Sequence, residues 1–275
     1  MWKKIKDLFS VKIEGVDQIE SQLEGVDGGA ASPAEARLKD EVDGASQSGP
    51  NLSDLIRQYL APVFRADGFT GSGRNFRKNH SNWVLVLSIE TSRAGDAFAI
   101  NVGVQPKFAP DSLGKEVDPK KIKVQLCEFR RRVFTPDIDV WWKCDVSAEN
   151  APLVLQAAAQ AYTEQMRAFV RDLCSEESAF STIAVEQFSL ESLGFGQFDT
   201  TEGRLALAIA RYHLQRENWQ NAQDFATLGL KHVGISVGLQ RDLEELASLA
   251  KEKQSQEQNV DPLEKLAAEQ DGLAV

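Results

Sequence analysis

The sequence predicts an α+β protein: an antiparallel sheet of three to four strands packed on helices, followed by a C-terminal helical segment. Large apolar residues stand at every second position before the turn SRAGD (92–96), at Trp83, Leu85, Leu87 and Ile89, and again after it, at Phe98, Ile100, Val102 and Val104, a pattern typical of a β-hairpin. The flanking regions carry apolar residues every three or four positions, as amphipathic helices do. Because the strands are consecutive and do not alternate with helices, the order favours α+β and argues against a parallel sheet.

Two segments precede the predicted folded body. Residues 1–13 predict a short amphipathic helix whose apolar face includes Trp2, Ile5 and Phe9. These three residues are candidate contacts with a membrane surface, with a partner or with the protein itself, and the sequence leaves the three alternatives open. Residues 14–50 are rich in Gly, Ala, Ser and acids and lack aromatic residues, which predicts a disordered acidic linker.

An α+β domain is predicted over residues 51–178, and it begins with a helix. Apolar residues from Leu52 to Phe64 share one helical stripe. Ser53 is the candidate N-cap, and Pro62 inside the pattern predicts a kink. Gly68 is placed to end the helix in a left-handed turn.

The sheet is expected to follow, and then helices. One further strand is predicted over residues 123–133. A short strand or an aromatic anchor is predicted over residues 139–145, and a long helix over residues 150–174. Residues 179–253 form the predicted helical C-terminal part, with helices near 202–217, 219–232 and 238–253, and residues 254–275 form a predicted flexible acidic tail. On the strands, one face carries the apolar residues Trp83, Leu85, Leu87, Ile89, Phe98, Ile100, Val102 and Val104.

Charge is concentrated in the terminal segments. Residues 14–49 hold nine acids against two bases, a net of −7, and residues 251–275 hold six acids against three lysines, a net of −3. These sum to −10, the formal charge of the chain, so the remainder is close to neutral. A duplex nucleic-acid binder would normally show a basic stripe, so we expect no such partner.

The cysteines and hydropathy indicate a compartment. Three cysteines at wide spacings, without a CxxC motif, predict reduced thiols rather than a disulfide framework. The sequence contains no run of about 18 apolar residues, so it predicts no membrane span. The N-terminus has no apolar signal core. We therefore expect a cytoplasmic protein.

The stretch GFTGSGRNFRK (68–78) places three glycines beside cations, as a phosphate-binding loop does. The P-loop motif GxxxxGK[ST] is absent, and here a predicted helix precedes and a predicted strand follows, the reverse of the order that such loops require. We interpret Gly68 as the helix stop, and Gly71 and Gly73 as turn residues at the approach to the first strand.

Other chemistry has weak support in the sequence. The three histidines lie in no HExxH or HxH pattern, and no GxSxG elbow occurs. Cys127 alternates with Phe129 on a predicted strand, which favours packing as a small apolar side chain. We assign no catalytic residue, no metal site and no cofactor.

The ordered series LAPVFRADGF, GRNF, WVLVLSIETS, FAINVGV and CEFRRRV followed by WW resembles a bacterial family known only as a domain of unknown function. The resemblance runs from Leu55 to about Cys174 and implies a small α+β domain, with no activity, cofactor or catalytic residue attached. The stretch LALAIARYHLQRENWQNAQDFATLGLKHV resembles a tetratricopeptide-type helix pair, with Trp219 and the small Ala222 in place. The usual glycine of the first helix is replaced by Ala210, and the terminal proline is missing.

The best candidate surface is the polar face of the sheet. If the apolar residues point to the core, a set of polar residues points away from it or lies at the start of the sheet: Arg74, Arg77, Glu90, Asn101, Gln105, Arg130 and Arg132. Such a face binds a protein partner, or an acidic or phosphate-bearing ligand, unless its arginines are neutralised by neighbouring acids.

We therefore expect a non-catalytic binding protein with a protein partner, with an immunity-type role in bacterial conflict as one form of this. The alternative is an enzyme or sensor that binds a phosphorylated or nucleotide ligand on the arginine-bearing face.

Overall fold

The computed structural model describes residues 51–134 and 141–258. The predictions for residues 1–13, including Trp2, Ile5 and Phe9, for the linker 14–50 and for most of the acidic tail lie outside the described residues. In chain order the elements are helix α1 (Leu52–Leu55), a π-helical turn (Ile56–Leu60), helix α2 (Ala61–Ala66), strands β1 (Thr70–Ser72), β2 (Asn75–Asn79), β3 (Trp83–Thr91) and β4 (Ala97–Pro106), a 3₁₀ turn (Val124–Leu126), strands β5 (Phe129–Val133) and β6 (Trp142–Lys143), helices α3 (Ala151–Leu173) and α4 (Ala179–Thr182), a 3₁₀ turn (Val185–Gln187), and helices α5 (Glu202–Gln215), α6 (Trp219–Leu230) and α7 (Val237–Gln258).

The predicted α+β class is confirmed, with more strands than expected. The described strands form one antiparallel sheet in the order β1-β2-β3-β4-β5, and β6 pairs with β4 beside β5. The two strands that the sequence analysis missed form the β1–β2 hairpin, which begins inside GFTGSGRNFRK (68–78) and ends at Asn79, and in which Gly71 pairs with Phe76. They were missed because β1 (TGS) has no apolar residue and β2 (NFRKN) has Phe76 alone, so neither shows apolar alternation.

Gly68 and Gly73 have the backbone roles that were expected, whereas Gly71 lies in strand β1 and not in a turn. Gly68 has a φ of +84° after α2, and Gly73 has a φ of +61° in the turn. At Gly71, with a φ of +136°, a Cβ atom would lie 2.3 Å from the carbonyl oxygen of Asn75. These glycines therefore shape a helix end and a tight hairpin.

The first helical stretch differs in detail from its prediction. Asn51, and not Ser53, is the N-cap of α1, and its side chain accepts a hydrogen bond from the Asp54 N–H. Near Pro62 the chain forms the π-helical turn, in which the Ala61 N–H reaches back to the Ile56 carbonyl. A proline inside a helix has no N–H and crowds the preceding turn, and a widened turn relieves that conflict.

One face of the sheet carries the main core. The side chains of Leu85, Leu87, Val102 and Val104 are fully buried there, as the alternation predicted. Helix α3 contributes Leu155, Ala158, Tyr162, Met166 and Leu173 to the same hydrophobic cluster.

The opposite face is partly covered, which the sequence analysis did not predict. Residues 107–127, here called the covering segment, place Ile122, Val124 and Cys127 against Val84 and Val86 in a second hydrophobic cluster. Gly103 makes this approach possible, since a Cβ atom there would lie 2.6 Å from the Cys127 Sγ. The part of this face near Glu90, Asn101 and Arg132 remains open.

The C-terminal helices follow the predicted pattern. Thr201 caps α5 by accepting from the Arg204 N–H, and Asn218 caps α6 by accepting from the Asn221 N–H. Helix α7 extends to Gln258, so residues 254–258 are helical rather than part of a tail. Within the described ranges, no helix combines the length and apolar character needed to cross a membrane.

Candidate functional site

A cleft of about 590 Å³ opens at the β5 edge of the sheet. We call it the arginine cleft, because three consecutive arginines of β5 line it. The loop 196–199 forms one side and the covering segment contributes the other. Its polar lining consists of Glu90, Asn101, Gln125, Arg130, Arg131 and Arg132, together with the loop residues Gln197 and Asp199.

The floor of the cleft is a hydrogen-bonded triad on the open sheet face. Strand register places Asn101 opposite Arg132. The Arg132 Nε donates to the Asn101 Oδ1 over 2.8 Å, and its terminal nitrogen donates to the Glu90 Oε2 over 3.2 Å. Asn101 Nδ2 donates to the same Glu90 oxygen over 3.1 Å. The Arg132 guanidinium also lies 5.1 Å from the centre of the Trp141 ring, so this side chain is held on several sides.

Arg130 is also paired. Its guanidinium donates to the Asp199 Oδ2 over 3.1 Å and to the Gln125 carbonyl over 3.3 Å. The Asp199 N–H donates to the Arg130 carbonyl over 2.7 Å, so the loop is attached to the strand edge at two points. The alternative that the sequence left open, neutralisation of these arginines by neighbouring acids, thus applies to Arg130 and Arg132.

Arg131 has a different environment. Its side chain starts on the other face of β5, and its NH2 group donates to the Gln165 Oε1 over 2.9 Å and to the Gln197 Oε1 over 2.6 Å. The guanidinium lies 5.6 Å from the centre of the Phe198 ring. Among the ion pairs of the described residues, none involves a carboxylate and Arg131. Partial burial lowers the pKa of Arg131, because desolvation disfavours the charged form.

Aromatic packing holds the loop 196–199 in place. Phe195 is fully buried and meets Phe129 of β5 at a ring distance of 4.7 Å and Phe198 at 5.1 Å. Gly194, with a φ of +72°, turns the chain into this anchor. The sequence signal that could have located the loop is GFGQF (194–198), an aromatic pair in a stretch without helical periodicity.

Three of the predicted surface residues have other roles. Gln105 is fully buried: its amide donates to the carbonyls of Pro106, Ala109 and Pro110, and its Oε1 accepts from the Glu128 N–H over 2.8 Å. It therefore anchors the covering segment and cannot contact a partner.

Arg77 fastens the same segment, with two hydrogen bonds to the Ile122 carbonyl at 3.2 and 3.0 Å. Arg74 lies apart from the arginine cleft and donates to the Thr91 hydroxyl over 2.9 Å. Of the predicted surface set, the structure therefore brings together Glu90, Asn101, Arg130 and Arg132.

Within the described residues, the Cys127 thiol is not in a reactive state, and the acidic and histidine side chains form no metal-binding group. Burial raises the pKa of Cys127 to about 12, so the thiol is protonated at neutral pH and packs as a small apolar group. Across residues 51–134 and 141–258, no group of three or more His, Cys, Asp and Glu side chains has the arrangement of a metal site.

The arginine cleft carries three cations and two carboxylates, a net of +1, and its surplus charge resides on Arg131. Neither a curated protein nor a solved structure matches the chain. Residues 60–173, which include β5 and the covering segment, match the family described as a domain of unknown function (DUF4304), as the ordered motifs of the sequence predicted.

Proposed function

We propose that the chain is a non-catalytic binding protein and that the arginine cleft receives an acidic side chain of a protein partner. The observation that carries this proposal is the state of Arg131, a half-buried cation that donates to three neutral oxygens, those of the Gln165 and Gln197 amides and of the Arg132 carbonyl. A cation removed from water is unfavourable unless an anion accompanies it. A ligand carboxylate would supply that anion and could accept from Nη1 of Arg131, because Nε and Nη2 already donate to Arg132, Gln165 and Gln197.

The surroundings of the cleft favour a protein as the ligand. Phe134 at the end of β5 has 37% of its surface exposed, and Trp141 lies beside the Arg132 guanidinium. Arginine and aromatic side chains are enriched at the centres of protein interfaces. A partner that inserts an acidic side chain beside Arg131 would cover Phe134 and Trp141 at the same time.

Binding without turnover is favoured because the polar groups of the cleft are engaged with one another. Glu90 accepts from Asn101 and Arg132, and Asp199 accepts from Arg130. Neither carboxylate is placed as an unencumbered general base.

A phosphorylated or nucleotide ligand is the second candidate, and it has an observation of its own. Three guanidinium groups converge on one cleft, and guanidinium forks match phosphate oxygens as well as carboxylates. A phosphate would have to displace Asp199 or Glu90 to contact more than Arg131, which is why we rank it second.

The test is a titration of the isotopically labelled chain, followed by NMR, with three hexapeptides that differ only at a central Glu, phosphoserine or Gln. We expect the Glu peptide to shift the resonances of β5 and residues 196–199, and the Gln peptide to leave them in place. Arg131→Gln should weaken binding by roughly tenfold or more, since a charge-assisted hydrogen bond contributes about 1.5–3 kcal/mol.

The matched control is Arg57→Gln, because Arg57 is an exposed arginine of the first helical stretch paired with Asp54. It should bind the Glu peptide as the parent chain does. Preference for the phosphoserine peptide by tenfold or more would move the assignment to the second candidate. Binding of Glu and Gln peptides with equal affinity would contradict both.

A further inference from the structure

A second surface feature lies far along the chain from the arginine cleft, on the C-terminal helices. Helices α5 and α7 border a groove of about 530 Å³, and Phe108 of the covering segment closes one side of it. A neighbouring hollow of about 420 Å³ continues along α7 and shares Glu245 and Leu249 with the groove. We call the two together the α5–α7 groove.

The floor of the groove is apolar. Leu214 and Phe108 are half-buried, Leu246 is buried, and Leu249 has 41% of its surface in water. The buried residues of α7, Leu243, Leu246 and Ala250, all belong to the main hydrophobic cluster. Leu249 lies instead in the groove, where it is one of the few large exposed apolar side chains of the described residues.

The rim of the groove is acidic. Asp242, Glu244, Glu245 and Glu252 line it against a single arginine, Arg211, a net of −3. Arg211 pairs with Asp242 over 3.1 Å. Arg241, outside the groove, lies 3.8 Å from the Glu245 carboxylate.

The remaining two carboxylates are bonded to neutral groups. Glu244 accepts from the Gln240 amide over 2.8 Å, and Glu252 accepts from the Gln256 amide over 2.9 Å. Within the described ranges, neither takes part in an ion pair. Two carboxylates about two helical turns apart on α7 therefore flank Leu249 with their charges uncompensated.

We propose that the α5–α7 groove binds a basic amphipathic helix of a partner protein. The lined part of α7, from Asp242 to Glu252, is about 15 Å long at 1.5 Å per residue, which matches about three turns of a partner helix. Apolar side chains of that helix at three-to-four spacing would contact Leu214, Leu246 and Leu249. Its lysines or arginines would meet Glu244 and Glu252, which flank the same leucine.

The charge of the rim selects among the possible occupants. An anionic membrane surface would be repelled by Glu244, Glu245 and Glu252. A second copy of the groove would bring the same three acids face to face, and like charges in a contact are unfavourable. A cationic helix is the occupant for which both the apolar floor and the acidic rim are complementary.

The probe is a fluorescent 14-residue peptide of Leu and Lys, with leucines at positions i, i+3, i+4 and i+7, titrated with the full chain and followed by anisotropy. Two comparison peptides separate charge from shape: one replaces Lys by Glu, and one replaces Leu by Ser at the same charge. We expect the Leu/Lys peptide to bind at least tenfold more tightly than either.

Variants of the chain locate the binding. Leu249→Ser should weaken the Leu/Lys peptide by about tenfold, since it removes most of a leucine contact. Leu113→Ser, at an exposed leucine of the covering segment, is the matched control and should bind normally. Glu244→Gln with Glu252→Gln should weaken binding at low salt and flatten its salt dependence.

Three outcomes would overturn the proposal. Equal affinity for the Leu/Lys and Ser/Lys peptides would show that the acidic chain attracts any cation. Unchanged affinity in Leu249→Ser, with a native circular dichroism spectrum, would place the peptide elsewhere. Self-association of the parent chain in sedimentation, lost in Leu249→Ser and without peptide binding, would assign the groove to a second copy.

Discussion

We expect His213 to make the stability of the C-terminal helices dependent on pH. The side chain is 4% exposed, on α5, and its ring stacks on Phe225 of α6 at 5.7 Å with an angle of 8° between the planes. Within the described residues, its Nε2 has no hydrogen-bond partner. Burial, and to a smaller degree the positive charge of Arg216, lowers the pKa of His213 from 6.5 to about 4. A proton on this ring would therefore be a buried charge without a partner.

Whether acid raises or lowers the free energy of unfolding depends on whether the folded or the unfolded chain binds the His213 proton more readily. Between pH 6.5 and about 4, the unfolded chain protonates His213 and the folded chain does not. The free energy of unfolding therefore falls as the pH falls through this range, and the contribution of His213 becomes constant below about pH 4. At 1.36 kcal/mol for each tenfold change in proton affinity, the gap between 6.5 and about 4 corresponds to about 3 kcal/mol. Because Arg216 is exposed and its influence is screened by salt, we expect about 2–3 kcal/mol.

The assay is urea unfolding at a series of pH values from 7.5 to 4, followed by circular dichroism, for the parent chain and His213→Phe. The phenylalanine keeps a flat ring against Phe225 and cannot be protonated. We compare the change with pH, not the absolute stability, because other acids titrate in both proteins and cancel. The variant should lose about 2–3 kcal/mol less than the parent between pH 7 and pH 4.

The control is His232→Gln, which changes a half-exposed histidine whose Nδ1 lies 2.8 Å from a Glu202 oxygen. This variant should retain the acid-dependent loss that His213 causes. If His213→Phe loses stability on acidification as steeply as the parent chain does, the buried ring is not protonated on unfolding and the reasoning is wrong.

Two further predictions concern the covering segment. Gly103→Ala should lower the free energy of unfolding by about 1–3 kcal/mol, because its new Cβ atom would lie 2.6 Å from the Cys127 Sγ. Adding Cys127→Ala should restore part of this loss in urea titrations. If the single variant loses no stability, the close contact is contradicted. Gln105→Leu should lower the free energy of unfolding by about 1–3 kcal/mol, because it removes the amide that pairs with the Glu128 N–H and with three carbonyls. The rate of hydrogen exchange at the Glu128 amide should then rise. An unchanged rate there would rule out the anchoring role.

The sequence predicted the parts of the fold that depend on periodicity. Alternation identified β3 and β4 and the face that each side chain takes, because a strand has a period of two wherever one face is buried. Three-to-four spacing identified α3 and the C-terminal helices. Alternation does not tell what covers the second face of a sheet. Gln105 was placed on the correct side and still assigned the wrong environment, because the covering segment has almost no regular structure of its own.

The sequence predicted the part of the arginine cleft that lies on the strands but not the loop 196–199, because periodicity reveals only the strands. Glu90, Asn101, Arg130 and Arg132 were identified because they lie on one face of neighbouring strands, where register brings them together. The loop 196–199 comes from a region more than 60 residues further along the chain, and its attachment to β5 depends on the aromatic contacts of Phe195. A contact of that kind has no periodic signature in the sequence.

The three consecutive arginines of β5 show why residue type alone could not identify the best candidate ligand contact. Arg130 and Arg132 point to the open face, as expected, and each meets a carboxylate there. Arg131 has the opposite parity, which predicts a side chain directed at the core. At the edge strand, however, a long side chain can bend around the end of the sheet, and its guanidinium reaches the cleft beside Gln197. Alternation along the strand thus assigned Arg131 to the core, although Arg131 is the arginine whose charge has no carboxylate beside it. What distinguishes Arg131 from Arg130 and Arg132 is the charge of its neighbours and not its residue type.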